Sequence, residues 1–402
     1  MPEILFVSLV VAGQVGVLVS LFNRVLMNKA ASWRRAVVMS VSPIVLVAGP
    51  LVVLVVVHQY GILSDIARFR GPRAAVWLTA AYVATVLVAV ARFLWVSLIT
   101  LPRRKRSDAV AAESRPVCSY RPDDGKAKGK RGSSAFWPIA RLNCRFDLEL
   151  NEFVLLLPGL PQAFDGFSIV HLSDLHASRS QPESWREYVA RTVERLRPDL
   201  IAVTGDFLSR KEDLGRVERM LLRLKAPHGV WAVRGNHDFW HAPESLRELF
   251  DGCGVGLLAN RRVEVRGNGE VLDLVGIEWP WDHSRGKWRD VFSPRPTGVT
   301  VVLSHTPDSA PVVARLGVTL MLAGHTHGGQ IRLPLVGSLV VPSRYGKRYE
   351  QGWFAVGSLA LYVNRGLGVH APHVRVGCRP EVARFVLRCG RTRSSDRPRP
   401  SA

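Results

Sequence analysis

Seven side chains, Asp174, His176, Asp206, Asn236, His305, His325 and His327, make up the inventory of a dinuclear hydrolytic centre. Such a centre needs one carboxylate able to bridge two cations, neutral imidazoles or amide oxygens to complete each shell, and open positions for water and phosphate. Asp174-Leu175-His176 and His325-Thr326-His327 are alternating pairs. On extended backbone alternate side chains point to one face, so both members of a pair reach a shared site. Gly205, Gly235 and Gly324 immediately precede ligand positions, where a missing side chain permits tight turns and close approach. Taken singly, each of these short words is common by chance; their order and their placement at strand ends carry the argument.

The elements that must position them are short apolar runs. Residues 167–172, 200–204, 230–233, 299–303 and 320–323 each lead into a turn bearing one or more of these side chains. In open α/β sheets, ligands gather outside the carboxyl ends of strands, so residues distant in sequence meet there. Helical spacing of apolar residues predicts helices over 183–196 and 212–224, with a shorter one over 243–250 that has Pro at its start. Strands alternating with helices predict a layered α/β domain. After Gln330, strand-like pieces at 359–364 and 382–387 between Gly and Pro turns predict a second sheet packed on the first.

The ordered words Asp174-Leu175-His176, Gly205-Asp206, Gly235-Asn236-His237-Asp238, His305 and Gly324-His325-Thr326-His327 resemble the calcineurin-like metallophosphoesterase superfamily. Their flanking residues are similar to its bacterial, often membrane-anchored branch related to UDP-2,3-diacylglucosamine hydrolases, and the resemblance spans about residues 145–388. It implies an α/β fold, a four-layer αββα sandwich of two mixed sheets. It also implies that Asp174, His176, Asp206 and His327 hold a first metal, and that Asp206 bridges to a second held with Asn236, His305 and His325. By the same resemblance His237 contacts substrate phosphate and protonates the leaving oxygen, with Asp238 orienting its imidazole. No ligand position is substituted, which implies retained catalysis. The donor set suits two divalent ions, Mn, Fe or Zn, with Mn the expected cofactor.

The chain has 402 residues and a net charge of +21. Collagen, coiled coil and disulfide-rich mini-protein are excluded, because neither a Gly-X-Y nor a heptad period is present and there are only 5 Cys. Residues 1–101 read as a transmembrane module of about three helices (4–22, 36–57 and 74–101), each long enough to cross roughly 30 Å of hydrocarbon at 1.5 Å per residue. The basic cluster Arg103 to Arg106 assigns the following segment to the cytoplasm, making this a multi-pass plasma-membrane protein with a cytoplasmic catalytic domain. Residues 102–136 read as a basic flexible linker, 137–390 as the phosphoesterase domain and 391–402 as a disordered tail.

Tethering points to the bilayer as a partner and to a phosphorylated lipid or nucleotide-linked lipid as substrate. Cleavage of a phosphoester or diphosphate by metal-activated water is the expected reaction. The alternatives are a cyclic-nucleotide phosphodiesterase or nuclease, prompted by the charge, and a non-catalytic membrane regulator that binds a phospholigand. Much of the excess charge lies beside the apolar segments, so nucleic acid is not the expected partner. Arg234, Arg332, Arg344, Lys347, Arg348 and Arg365 are candidate phosphate clamps, and Trp279, Trp281 and Trp288 form an aromatic stretch able to meet an acyl chain.

Overall fold

The apolar runs fold as β-strands whose alternate residues part to opposite faces. The computed structural model describes residues 107–114, 117–119, 142–278, 280, 287–296, 298–334, 337–338, 340–370 and 373–390, with the isolated positions Ala84, Val88 and Ala91. The chain divides into two compact units, Lys105–Leu333 with Tyr349–Ala402, and Met1–Arg104 with Pro334–Arg348. The fold below is that of the unit beginning at Lys105.

Its first sheet contains β1 (Val110–Ser114), β2 (Val117–Ser119), β3 (Asp147–Pro158), β4 (Ser168–Leu172), β5 (Leu200–Thr204), β6 (Val230–Val233), β7 (Val255–Leu257) and a late strand, β14 (Glu381–Gly390). The spatial order is β1-β3-β14-β4-β5-β6-β7, with β2 also paired to β3. Strands β4 through β7 run parallel, whereas β14 is antiparallel to β4 and parallel to β3. The second sheet contains β8 (Arg261–Gly267), β9 (Glu270–Ile277), β10 (Thr300–Ser304), β11 (Leu320–Ala323), β12 (Gly352–Val356) and β13 (Leu359–Val363). Its order is β12-β13-β11-β10-β9-β8, parallel through β13, β11, β10 and β9 and antiparallel at both edges. Both sheets are therefore mixed.

Strand period two sorts the side chains into three cores. Ile169, Leu200, Ala202, Leu303, Leu322, Tyr362 and Phe385 fill the space between the sheets. Val170, Leu172, Ile201 and Val203 face the other way, against Trp185, Val189, Val217 and Phe250 of the helices. On the outer face of the second sheet, Val302, Met321, Ala323 and Leu361 pack on Ala310 and Val313. Three cores separate four layers, as the resemblance implied.

The helices follow their apolar spacing. Helix α1 (Glu183–Arg195) buries Trp185, Val189 and Val193, each four residues after the last. Helix α2 (Leu214–Leu221) is shorter than the expected 212–224, because Lys211–Asp213 forms a tighter turn before it. Helix α3 (Asn236–His241) was not anticipated, and α4 (Pro243–Cys253) begins on its Pro and ends at Gly254 in the left-handed region.

The expected linker over 102–136 is corrected at Val110–Ser114 and Val117–Ser119, which pair antiparallel with β3. These two short strands cover the otherwise open edge of that strand. Among the described residues no helix is long and apolar enough to cross a membrane. The three apolar segments lie outside the described residues, save that Ala84, Val88 and Ala91 are helical. The basic run 125–131 and the tail 391–402 also lie outside them.

Candidate metal centre

All seven expected ligands sit just past the carboxyl ends of strands: Asp174 and His176 after β4, Asp206 after β5, Asn236 after β6, His305 after β10, and His325 and His327 after β11. All seven are buried. Five hold left-handed backbone that L-residues avoid: Asp174 (φ 48°), His176 (40°), Asp206 (54°), His325 (71°) and His327 (51°). Strain of that kind costs on the order of 1–3 kcal/mol per residue and persists where the surroundings over-determine it. Gly324 shows one reason for the tightness, since a Cβ there would overlap Ser173 Oγ and Asp174 Oδ2.

The carboxylates are oriented by backbone. Asp174 Oδ2 accepts from the His325 N–H at 2.9 Å and from Ser173 Oγ at 2.5 Å, and its Oδ1 lies 3.3 Å from His327 Nε2. Asp206 Oδ1 accepts from the His237 N–H at 2.9 Å. Its Oδ2 stands 3.5 Å from His176 Nε2 and 3.3 Å from His305 Nε2, between one histidine of each implied metal set. His305 Nδ1 lies 2.8 Å from the Thr204 carbonyl, which only accepts, so Nδ1 carries the proton. Its Nε2 then faces Asn236 Oδ1 at 3.1 Å, His325 Nδ1 at 3.0 Å and Asp206 Oδ2. Lone-pair atoms crowd about one nitrogen, an arrangement satisfied by a proton or a cation.

Three of these buried atoms, His176 Nε2, Asp206 Oδ2 and His327 Nε2, have close neighbours but no regular hydrogen bond. Buried polar atoms are ordinarily paired, because leaving one unpaired costs about 1–3 kcal/mol. These orphans fit divalent cations. Ligand atoms of Asp174, His176 and Asp206, and separately of Asp206, His305 and His325, lie within 4.8 Å of one another.

Burial drives the titration of the site. It lowers His176, His325 and His327 well below the ordinary imidazole value, keeping them as the neutral form that binds metal. At His305 burial acts downward too, but the adjacent Asp206 carboxylate outweighs it and lifts the imidazole to about 9. Asp174 rises to about 6, chiefly from burial, with His305 pulling it back and Asp206 pushing it further.

His237 and Asp238 sit on the first turn of α3. The His237 ring is half-buried and 4.9 Å from His176, and its Nδ1 is unpartnered. The expected role of Asp238 is corrected. Its carboxylate accepts backbone N–H bonds from Gly235 (2.8 Å), Asp206 (2.8 Å), Phe207 (2.9 Å) and Leu208 (3.4 Å). Both oxygens therefore fix the Asp206 loop, and the His237 ring is left to other partners. Burial and then the Asp206 charge raise Asp238 to about 8, while these N–H groups favour the ionised form.

Three candidate phosphate clamps are tied up in ion pairs. Arg234 makes two 2.8 Å bonds to buried Glu278, Arg365 bridges Glu381 (2.5 Å) and Glu149 (2.8 Å), and Arg332 meets Glu350 at 3.2 Å. Arg344, Lys347 and Arg348 fall in the other compact unit. The side chains of Trp279, Trp281 and Trp288 lie outside the described residues.

Sequence reasoning missed His370, whose ring is 4.2 Å from His176 and 4.6 Å from both His237 and His327. Burial, reinforced by His237, lowers it to about 3. It lies seven residues past the end of β13, farther than any expected ligand lies from its strand, so strand-end placement did not single it out.

Residues 167–329 match the calcineurin-like phosphoesterase family. The uncharacterized metallophosphoesterase YkuE of Bacillus subtilis is 32% identical over 255 residues, 60% of this chain and 86% of that one. The chain belongs to the calcineurin-like metallophosphoesterases. Phosphodiesterase YaeI of Escherichia coli is 33% identical to this metallophosphoesterase over 227 residues, 55% of this chain and 82% of the other. UDP-2,3-diacylglucosamine pyrophosphatase LpxG of Chlamydia muridarum is 26% identical over 299 residues, 60% and 89% of the two chains. This metallophosphoesterase is a metal-dependent hydrolase of phosphoric esters, with a clustered Asp, Asn and His set able to hold its cations.

Proposed function

We propose that this phosphoesterase is membrane-anchored and cleaves a phosphodiester or diphosphate bond of a lipid or nucleotide-linked lipid. The observation that carries the hydrolytic reading is the convergence of strand-end Asp and His residues on unpartnered buried atoms of His176, Asp206 and His327. The lipid part is supported by the apolar character of residues 1–101 and by likeness to LpxG, named as a UDP-2,3-diacylglucosamine pyrophosphatase.

Asp174, His176, Asp206 and His327 would hold one cation, and Asp206, Asn236, His305 and His325 a second. Two divalent cations held there, Mn in the first instance, would supply Lewis acidity toward phosphoryl oxygens and lower the pKa of water toward neutrality. The remaining work falls to side chains. Asp206 keeps the two sets in register through Oδ2, and its own carboxylate is aimed by the His237 N–H and by the Asp238-braced loop. Half-buried His237 stands beside His176, where it would donate to the phosphoryl group and pass a proton to the departing oxygen. Proton transfer by a positioned side chain contributes about 10² to 10⁴ in rate.

The test is hydrolysis by the purified full chain, with added Mn, of a chromogenic phosphodiester, a phosphomonoester and a diphosphate-linked lipid in vesicles. Metal-dependent turnover that is highest on the vesicle substrate supports the proposal. Equal turnover on water-soluble esters, with no gain on vesicles, removes its lipid part. Absence of turnover on every substrate by the metal-loaded chain removes the whole.

A further inference from the structure

One imidazole at the centre belongs to none of the motif words. His370 offers a ligand atom within 4.8 Å of those of His176 and His327, and likewise of those of Asp206 and His237. The ring spacings give a scale within the same molecule. His305 and His325, assigned above to one cation, have centroids 4.8 Å apart, and His176 and His327, assigned to the other, are 5.1 Å apart. His370 stands 4.2 Å from His176 and 4.6 Å from His327, inside that scale.

Its main chain is held by hydrogen bonds at both its N–H and its carbonyl. Gln330 Oε1 accepts from the His370 N–H at 2.8 Å, while Gln330 Nε2 donates to the His370 carbonyl at 3.1 Å. Gln330 follows His327-Gly328-Gly329 and is itself in the left-handed region at φ 51°, so the His327 loop also seats His370. From the other side, the Gly368 N–H bonds the Asp174 carbonyl at 2.7 Å, and a Cβ at Gly368 would stand 2.5 Å from that of His176. The loops bearing Asp174, His176 and His327 thus fix the position of His370.

We propose that His370 is a further protein ligand of the first cation, joining Asp174, His176, Asp206 and His327. This rests on the dimetal reading above and sharpens it, because the two cations become unequal. The first is enclosed by five protein side chains, whereas the second keeps Asp206, Asn236, His305 and His325 and has the more open positions for phosphate. The centre therefore fills in order, the first site tight and the second exchangeable.

The test uses the purified full chain in detergent, stripped of metal and titrated with Co²⁺ while absorption and bound metal are read together. The wild-type chain takes up two equivalents, the first more tightly. His370→Ala weakens the tight site at least about tenfold and shifts its Co²⁺ absorption, as loss of an imidazole donor requires. His370→Gln, which fills similar space, separates loss of a ligand from loss of fold, and gives the same weakening. His241→Ala, an exposed imidazole 5.7 Å from His237, leaves both affinities and the spectrum unchanged. Wild-type affinities and spectra in both His370 variants would overturn the assignment, including the case where only KM for substrate rises. Fewer than two equivalents in the wild-type chain would overturn the dimetal reading itself, and this inference with it.

Discussion

The two sheets contribute unlike halves to the centre. Loops of the first sheet bring Asp174, His176, Asp206, Asn236 and His237, including both carboxylates of the metal set. Loops of the second bring only imidazoles, His305, His325, His327 and His370. Alone, the first half would bury two negative charges, and the second would offer neutral donors with no charge to attract a cation. Packing across the intersheet core, where Phe153, Tyr362 and Phe385 are in mutual ring contact, sets the spacing between the halves together with loop bonds such as His325 N–H to Asp174 and His305 Nδ1 to the Thr204 carbonyl. The centre is therefore a property of the docked sandwich rather than of either sheet.

The most severe way to break that arrangement is at the first-sheet carboxylate that faces a histidine of each half. Asp206→Asn removes the charge that faces His176 and His305, and several kcal/mol of transition-state stabilisation go with the cations. A kcat loss on the order of 10³ or more is expected in a metal-saturated assay. His237→Ala leaves every proposed ligand in place, so kcat falls by roughly 10² while metal content, read by elemental analysis, stays at the wild-type level. Phe385→Ala attacks the docking instead of the ligands. Thermal unfolding should show a loss of about 3–5 kcal/mol, and metal affinity should fall with it although no ligand has changed.

Acidity sharpens the comparison by a smaller amount. His305 is raised from 6.5 to about 9 in the metal-free fold, so at pH 7 it holds a proton that a cation must displace. That proton stabilises the metal-free fold fully below pH 6.5, and the contribution disappears as pH rises through about 9. Metal affinity has the opposite sign, increasing with pH up to about 9 and levelling above it. Calorimetry in buffers of different ionisation enthalpy should detect about one proton released per centre near neutrality.

The smallest effect is expected at His171, which lies within β4 and not beyond its end. It is fully buried, bonds Thr204 Oγ1 at 2.8 Å through Nε2, and is lowered to about 3 by burial. His171→Leu should cost only about 1 kcal/mol in thermal unfolding and leave metal content unchanged.

That contrast also marks how far the sequence could be read. Short apolar runs exposed β4, β5, β6, β10 and β11, and placement at their ends exposed the seven expected ligands, because an apolar run and the turn that follows it are local signals. Edge strands Val110–Ser114 and Val117–Ser119 were hidden in a basic stretch, since their pairing with β3 depends on partners 28 to 45 residues away. Asp238 was misread for a similar reason. Its sequence neighbour is His237, but its hydrogen bonds run to the backbone of residues 206–208, brought close only by the parallel pairing of β5 and β6. His370 lacked a motif word, and its meaning depends on the Gln330 and Gly368 contacts that fix its loop.

Metal stoichiometry of the purified full chain, compared with variants that remove one ligand from each half, tests the docked centre most directly. Elemental analysis and Mn titration should give two equivalents for the wild-type chain, and fewer for both Asp174→Asn on the first sheet and His325→Ala on the second. Two equivalents retained at wild-type affinity in either variant would contradict the account.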